Sequence, residues 1–279
     1  MVMCRSARFA VLILGIAQVF LNEAKAYIPP SEFVMKTLLQ KRAAVKSWRV
    51  RGLVKAVPSS GEGSGARFIE ETVYDTSSRK LKSAAFDEMG RLLYSVERIL
   101  ESEEGGPELR TVVSAIIFEN RLSRLSSILR SWNIPLKRED ELLRLPDEKA
   151  RINAERMFLD RRKLGSAYQV NWVIGEKSAN QLWVEKDTFL PSRLFMAIGD
   201  RYDVSFESYQ GSEEVPMPRV ISLSREGELM IREEVQEVSM NASSGSTAVQ
   251  IEGSGFTDVG NSVDSTIRDL IRRFYTVLR

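Results

Sequence analysis

The stretch that decides the fold is Gln181–Leu194, with the sequence QLWVEKDTFLPSRL. Two runs rich in apolar residues flank the polar triplet Lys186-Asp187-Thr188, which predicts two strands joined by an exposed turn. Pro191 stands at the start of the second run, where the N–H that proline lacks costs little. The stretch therefore predicts an antiparallel hairpin.

Strand patterns continue on both sides of this hairpin. Apolar residues recur at every second position, for example at Val170, Trp172 and Ile174, and polar turns separate one run from the next. The pattern predicts about ten antiparallel strands in two groups. The first group runs over 48–54, 67–74, 80–86 and 91–99, and the second over 168–174, 181–184, 190–196, 202–206, 219–225 and 228–238.

Helical spacing of apolar residues marks the regions around these strands. Ser31–Lys46 is predicted as an N-terminal amphipathic helix with Ser31 as its N-cap. A helical insert is predicted over about 107–163. Within it, the apolar spacing from Leu109 to Trp132 fits one long helix or two helices broken near Asn120, and the charge-rich remainder fits short helices and connections.

The C-terminal part has a different composition. Residues 241–262 are rich in Ser, Gly, Thr and Asn and are predicted as a flexible linker. Residues 263–279 place their apolar side chains on one helical face and are predicted as an amphipathic helix. The strands and the helical insert then form one domain over 27–240.

The N-terminus has the features of an export signal. Arg5 and Arg8 precede an apolar run, and Ala24-Lys25-Ala26 follows it as a small-x-small cleavage site. We predict a signal peptide over 1–26 that is cleaved after Ala26. The run from Phe9 to Leu21 has thirteen positions, whereas a membrane-spanning helix needs roughly 20, so a retained anchor is the less favoured alternative. The expected location is the periplasm.

The composition of the mature chain excludes several kinds of chemistry. Cleavage removes Cys4, the only cysteine, and the chain has no histidine, so thiol chemistry, a histidine-containing serine triad and histidine-ligated zinc are excluded. Cleavage also removes three of the 40 basic and one of the 38 acidic residues, which leaves no net charge. Such a chain has no long-range field to attract nucleic acid, and no nucleic-acid partner is expected.

No motif supports an enzyme. Gly61–Gly65 lacks the lysine of a phosphate loop and lies between strands, so it is predicted to be a hairpin loop. Ser77 and Lys80 have the spacing of a serine–lysine pair but fall at a turn instead of on a helix. Paired acids such as Glu70-Glu71 and Glu233-Glu234 face opposite ways on a strand and are interpreted as solvated surface charge. We therefore predict no catalytic residue, no metal site and no cofactor.

Two four-residue runs resemble a known family. Leu182-Trp183-Val184-Glu185 and Leu190-Pro191-Ser192-Arg193 resemble the strand–turn–strand signature of the LolA-like family, the periplasmic carriers of outer-membrane lipoproteins and their lipid-binding relatives. Trp172-Val173-Ile174-Gly175 is similar to the strand that precedes this signature in the family. The chain lacks the R-P-x-x-F-R-W-like run of the lipoprotein carriers, and neither Arg49 nor Arg51 is equated with the family's functional arginine.

The resemblance implies an α+β fold. In it, a curved antiparallel sheet forms an incomplete β-barrel, or half-barrel, and helices cover its concave face. Such a face is apolar and needs a cover in water, and an imperfect cover would leave a cavity for an acyl chain. For each lining residue taken singly, ordinary core packing is the competing interpretation.

We predict the following cavity. Its candidate lining residues are Trp48, Val50, Phe68, Leu92, Tyr94, Val170, Trp172, Leu194, Met196, Tyr202, Val204 and Phe206. Its candidate lid residues are Ile116, Ile117, Leu125 and Leu129.

These expectations lead to three hypotheses of function. The first is a monomeric, non-catalytic periplasmic protein that shields the acyl chain of a lipid or lipoprotein and exchanges it with inner- and outer-membrane envelope proteins. The second is a structural or sensory interaction module on the same fold, with the cavity filled by its own helices. A hydrolase is the third, and no residue in the sequence carries it. A large apolar cavity would favour the first and a collapsed core the second.

Overall fold

The computed structural model describes residues 29–57, 65–100, 109–147, 149–150, 157–164, 167–177, 179–209, 215–241, 255–257 and 264–276. Several predicted segments lie outside the described residues: the signal peptide with its cleavage site Ala26, the predicted hairpin loop except for Gly65, and most of the predicted linker. Within the described ranges, no helix has both the length and the apolar character needed to cross a membrane.

The described chain forms one antiparallel sheet of twelve strands. The strands are β1 Ser47–Ala56, β2 Arg67–Asp75, β3 Lys80–Phe86, β4 Leu92–Ile99, β5 Met157–Leu164, β6 Ala167–Gly175, β7 Gln181–Glu185, β8 Pro191–Ile198, β9 Asp200–Glu207, β10 Val220–Arg225, β11 Glu228–Met240 and β12 Gly255–Phe256. Their order is β12-β4-β3-β2-β1-β11-β10-β9-β8-β7-β6-β5. Because β12 and β5 are the two edges, the curved sheet is not closed, and the predicted half-barrel is confirmed.

The hairpin that decides the fold forms as predicted. Strands β7 and β8 pair antiparallel, with Leu182 opposite Leu194. The N-terminal helix holds the turn between them, because Lys41 Nζ donates to the Thr188 carbonyl at 2.7 Å. The rings of Phe33 and Phe189 also meet edge to face, with centroids 6.4 Å apart.

Strand β1 joins the two groups of strands. It pairs with β2 on one side and with β11 on the other. The register with β11 shifts between Arg51 and Gly52, which marks a β-bulge. The two predicted meanders are therefore halves of a single sheet.

Five helices occur in the described chain. They are α1 Ser31–Gln40, α2 Leu109–Phe118, α3 Leu122–Ser131, α4 Glu139–Leu143 and α5 Ser265–Thr276. Glu119 stabilises the break between α2 and α3. Its Oε1 accepts hydrogen bonds from the backbone N–H groups of Asn120 and Arg121, each at 2.9 Å. These donors lie at the start of α3, where backbone N–H groups have no partner within the helix. Of the two alternatives for this region, two helices broken near Asn120 is the correct one.

Two predicted boundaries require correction. The helical insert ends earlier than residue 163, because Met157–Leu164 forms strand β5 and pairs with β6. This edge strand has one neighbour only, so its charged residues Arg161 and Lys163 are exposed and hide the strand pattern. The predicted linker 241–262 contains a short strand, since Gly255–Phe256 pairs with β4.

Candidate functional site

Most predicted lining residues lie in the core on the concave face. Eight of them are buried: Trp48, Val50, Phe68, Trp172, Leu194, Met196, Val204 and Phe206. Tyr94 and Tyr202 are partly buried and pack against this core. The candidate lid residues Ile116 and Ile117 on α2 and Leu125 and Leu129 on α3 are also buried. The sequence therefore located the interior correctly for these residues, although burial alone does not make them ligand contacts.

Leu92 and Val170 lie outside the hydrophobic core, contrary to prediction. The register between β3 and β4 shifts after the pair Ala85–Tyr94, so Leu93 is the extra residue of a bulge and is fully buried in place of Leu92. Val170 lies opposite the exposed Arg161 of the edge strand and is only partly buried.

An ionic cluster lies inside the half-barrel, between helix α2 and the sheet. Arg110 Nη2 contacts the two carboxylate oxygens of Glu70 at 2.9 and 2.7 Å. Arg110 Nη1 contacts Glu233 Oε2 at 3.3 Å. All three residues are buried, so one guanidinium on α2 connects β2 with β11 across the intervening strand β1.

The intervening strand makes room for this cluster at Gly52. A Cβ at Gly52 would lie 3.3 Å from Cγ and Oε1 of Glu233. Such an approach is tighter than nearly all real Cβ contacts, so a glycine here lets the Glu233 side chain lie over β1. The bulge, whose extra residue is Gln236 of β11, and the buried carboxylate of Glu233 on the same strand are therefore parts of one local arrangement.

The interpretation of Glu70-Glu71 and Glu233-Glu234 as surface charge was wrong for one member of each pair. Neighbouring residues on a strand face opposite ways, so Glu71 and Glu234 face outward while Glu70 and Glu233 face the core. A signal existed in the sequence, because Glu70 shares the two-residue period of the apolar Phe68 and Tyr74.

The cluster has two carboxylates for one guanidinium. Burial raises the pKa of Glu233 to about 7, with Glu70 adding to the rise and Arg110 opposing it. Burial lowers the pKa of Arg110, but the two carboxylates outweigh burial and the net change is upward. The pKa of Tyr275, at the edge of the cluster, is raised by burial and by the charge of Glu70. Arg110 therefore stays charged, and Glu233 titrates near neutrality.

Helix α2 is fixed at both ends. All ten of its residues are buried. Near its N-terminus Arg110 binds the two strands, and near its C-terminus the buried Arg42 donates to the Ile116 carbonyl, which suits a cation at the negative end of a helix. Glu119, just beyond the helix, accepts the hydroxyl of Tyr74 at 2.9 Å.

Helix α5 is held differently, mainly through aromatic side chains. The Phe274 ring lies 5.5 Å from the Phe68 ring and 4.4 Å from the Arg110 guanidinium carbon. Tyr275 stacks on Tyr94 at 4.9 Å. The buried face of helix α5 consists of Leu270, Ile271, Phe274 and Tyr275. Helix α5 thus covers the concave face through one side only.

One cavity inside the half-barrel is small in the part of the chain that the structure describes. The cavity between α2, α5 and the sheet, called here the inner cavity, has about 30 Å³. It is lined by Arg110, Val113, Val204, Ile221, Leu223, Ile231, Glu233 and Phe274. That volume accommodates water and not an acyl chain. Of the twelve predicted lining residues, only Val204 contacts it.

Two larger grooves open at the surface beside α5, and Gly65, Ala66 and Thr266 line both of them. One, of about 530 Å³, has Leu229, Met230, Ile231 and Leu270 in its lining. The other, of about 570 Å³, has Arg67, Asp87, Glu88, Met89 and Asp264 in its lining. The two grooves are about equally apolar, and each has four charged residues in its lining.

No metal-binding site is present in the part of the chain that the structure describes. There, no three His, Cys, Asp or Glu side chains are grouped so that they could hold an ion. The ionic cluster has two carboxylates, and the guanidinium of Arg110 lies between them. Its arrangement fits a structural or proton-binding role.

Two solved structures are similar to the chain, both at low sequence identity. No protein-family model matches the chain, and no curated protein matches it. Among solved structures, it is similar to a LolA superfamily protein from Nitrosomonas europaea, with 9% identity, 77% of this chain and 95% of that chain covered, and a TM-score of 0.41. It is also similar to a DUF1329 family protein from Desulfovibrio piger, with 7% identity, 77% and 94% covered, and a TM-score of 0.36.

Proposed function

We propose that the chain is an exported, non-catalytic binding protein of the periplasm that shields an acyl chain of a lipid or lipoprotein. The observation that carries this proposal is the open half-barrel with an apolar concave face, one part of which is covered by a single amphipathic helix, α5. We further propose that it acts as a monomer, without cofactor or nucleic acid, and exchanges its cargo with inner- and outer-membrane envelope proteins.

An acyl chain can enter the inner cavity only by replacing protein side chains, because this cavity has about 30 Å³. Helix α2 is a poor candidate for movement, since its departure would leave the charges of Glu70 and Glu233 buried without Arg110. Helix α5 is the better candidate, because only its packed face would have to leave the core.

The energies of such an exchange are comparable. The four buried side chains of α5, Leu270, Ile271, Phe274 and Tyr275, contribute about 1.5–3 kcal/mol each, or about 6–12 kcal/mol together. A chain of about fourteen carbons gains on the order of 10 kcal/mol at about 0.8 kcal/mol per CH₂, before ordering costs. The cargo can therefore offset the loss of helix packing.

Co-purifying lipid is the direct test. The exported chain is extracted from a cell envelope without detergent exchange, and bound lipid is identified by mass spectrometry. We expect acyl species in a defined ratio to protein, and saturable binding of a fluorescent fatty-acid probe. A preparation without acyl species that also binds no probe contradicts the proposal.

A second candidate function is a structural or sensory interaction module on the same fold. The filled concave face favours it, because the inner cavity is too small for cargo in this conformation. This candidate predicts no probe binding, together with amide exchange in α5 as slow as in α2. The first candidate predicts the opposite result on both measurements.

A further inference from the structure

The 530 Å³ groove lies between α5 and the ends of strands β1, β2, β10 and β11, and is called here the entrance groove. Leu229, Met230 and Ile231 of β11 line it from the sheet side, and Leu270 lines it from α5. Arg225, Glu228, Asp269 and Arg273 also line it, so it combines apolar side chains with charges of both signs. Its volume is typical of small-molecule sites.

The entrance groove and the inner cavity meet at one residue. Ile231 lines both of them and is 4% exposed. Helix α5 also contributes to both, with Leu270 in the groove and Phe274, one turn further on, in the cavity. A small outward movement of α5 would therefore join the two spaces into one channel over Ile231.

The second groove beside α5, of about 570 Å³, does not have this property. None of the residues that line it also lines the inner cavity. Its lining includes four charged residues, Arg67, Asp87, Glu88 and Asp264, and the lining of the entrance groove includes the same number, so polarity does not distinguish the two grooves. The difference between the two grooves is that the entrance groove shares Ile231 with the inner cavity.

We propose that the entrance groove is where the acyl chain of the cargo binds and enters the half-barrel. This inference rests on the proposed function. The hydrocarbon lies on Leu229, Met230 and Ile231, and its terminal carbons replace the Phe274 side chain among Val113 and Leu223.

The head group of the cargo stays at the mouth of the entrance groove. Arg225 and Arg273 lie there together with Glu228 and Asp269, so charges of both signs surround the mouth. The site therefore takes a single-chain amphiphile by its hydrocarbon and does not require one sign of head-group charge.

Photo-crosslinking with a diazirine-bearing fatty acid tests the location. The full exported chain is irradiated with the probe, digested with trypsin and analysed by mass spectrometry. We expect adducts in the tryptic peptides Glu226–Arg232 and Asp269–Arg272. Adducts confined to strands β6–β8, where Trp172 and Leu194 lie, overturn the inference while leaving the proposed function intact. A chain that gives no saturable adduct contradicts the proposed function itself.

Two substitutions with opposite expected effects keep the test independent of misfolding. Leu229→Glu places a charge in the groove and should weaken probe binding about tenfold or more. Tyr275→Ala loosens α5 without altering the groove lining and should strengthen binding several-fold. The matched control Leu159→Glu, at the far edge strand and 38% exposed, should leave binding unchanged. Equal binding by Leu229→Glu and the native chain overturns the inference.

Discussion

Arg110 connects helix α2 to two strands that lie on either side of β1. A buried ion pair of this kind contributes little net stability compared with apolar residues, because desolvation offsets the attraction. Its loss is costly all the same, because removal of one partner leaves a charge buried without a counterion. Its main effect is to fix the position of α2 over the sheet.

Arg110→Met should therefore destabilise the chain by about 3–5 kcal/mol, since it leaves Glu70 and Glu233 unpaired in the core. The measurement is the free energy of unfolding in urea. The triple variant Arg110→Met, Glu70→Leu, Glu233→Leu should recover most of this loss. A single-variant cost below about 1 kcal/mol would show that the cluster is not buried as described.

Stability should also depend on pH through Glu233. Its pKa in the folded chain, about 7, lies above the ordinary value of 4.5, so the folded state binds the proton more tightly than the unfolded state. Its contribution is therefore fully present below pH 4.5 and is lost as the pH rises to about 7. The free energy of unfolding in urea should be lower at pH 8 than at pH 5 by an amount on the order of 1–3 kcal/mol.

Two variants separate this effect from the rest of the titration. Glu233→Gln should remove the pH dependence of the free energy of unfolding between pH 5 and pH 8. Glu234→Gln is the matched control. Glu234 is adjacent to Glu233 in the sequence, but its carboxylate faces outward and pairs with Lys55 at 2.8 Å. If both variants keep the native pH dependence, Glu233 is not the titrating group.

At the scale of elements, helices α2 and α5 cover the same concave face, and we expect them to differ in mobility. Helix α2 is buried on all sides and held by Arg110 and Arg42, whereas α5 exposes one face to solvent. Local opening is easiest where few contacts must be broken. The two helices should therefore differ in their exchange of amide hydrogens.

Hydrogen exchange followed by mass spectrometry should show faster exchange in Ser265–Thr276 than in Leu109–Phe118. Addition of an acyl ligand should increase exchange in α5 further and leave α2 unchanged, because the ligand replaces the packed face of α5. Slower exchange in α5 upon ligand addition would mean that this helix closes over the cargo and is not displaced by it.

The elements could be predicted where a single period dominates the sequence. The hairpin of β7 and β8 and the break near Asn120 were visible in local patterns. Strand β5 was missed because its charged residues belong to an edge strand. The ionic cluster was missed for another reason: Arg110 is 40 residues from Glu70 and 123 from Glu233, so only the topology shows their proximity.

For the whole molecule, the pairing of β1 with both β2 and β11 predicts one cooperative unit. Peptides from β3 and β9, which belong to different halves of the sheet, should therefore give the same limiting free energy of opening in hydrogen exchange. Independent unfolding of the two halves would appear as two distinct values, and would contradict a core that is continuous across β1.

The same pairing has a consequence for how the chain reaches its native state. Lys46 and Asn241 lie next to the ends of β1 and β11. The Lys46 N–H donates a hydrogen bond to Asn241 Oδ1, although the two residues are 195 positions apart in the sequence. Strand β1 therefore cannot complete its pairing until β11, which is synthesised much later, is available. Such non-local contacts make folding slow, typically milliseconds to seconds. Until then, the open side of β1 can pair with other extended segments, so the yield of folded protein should depend on holding chaperones.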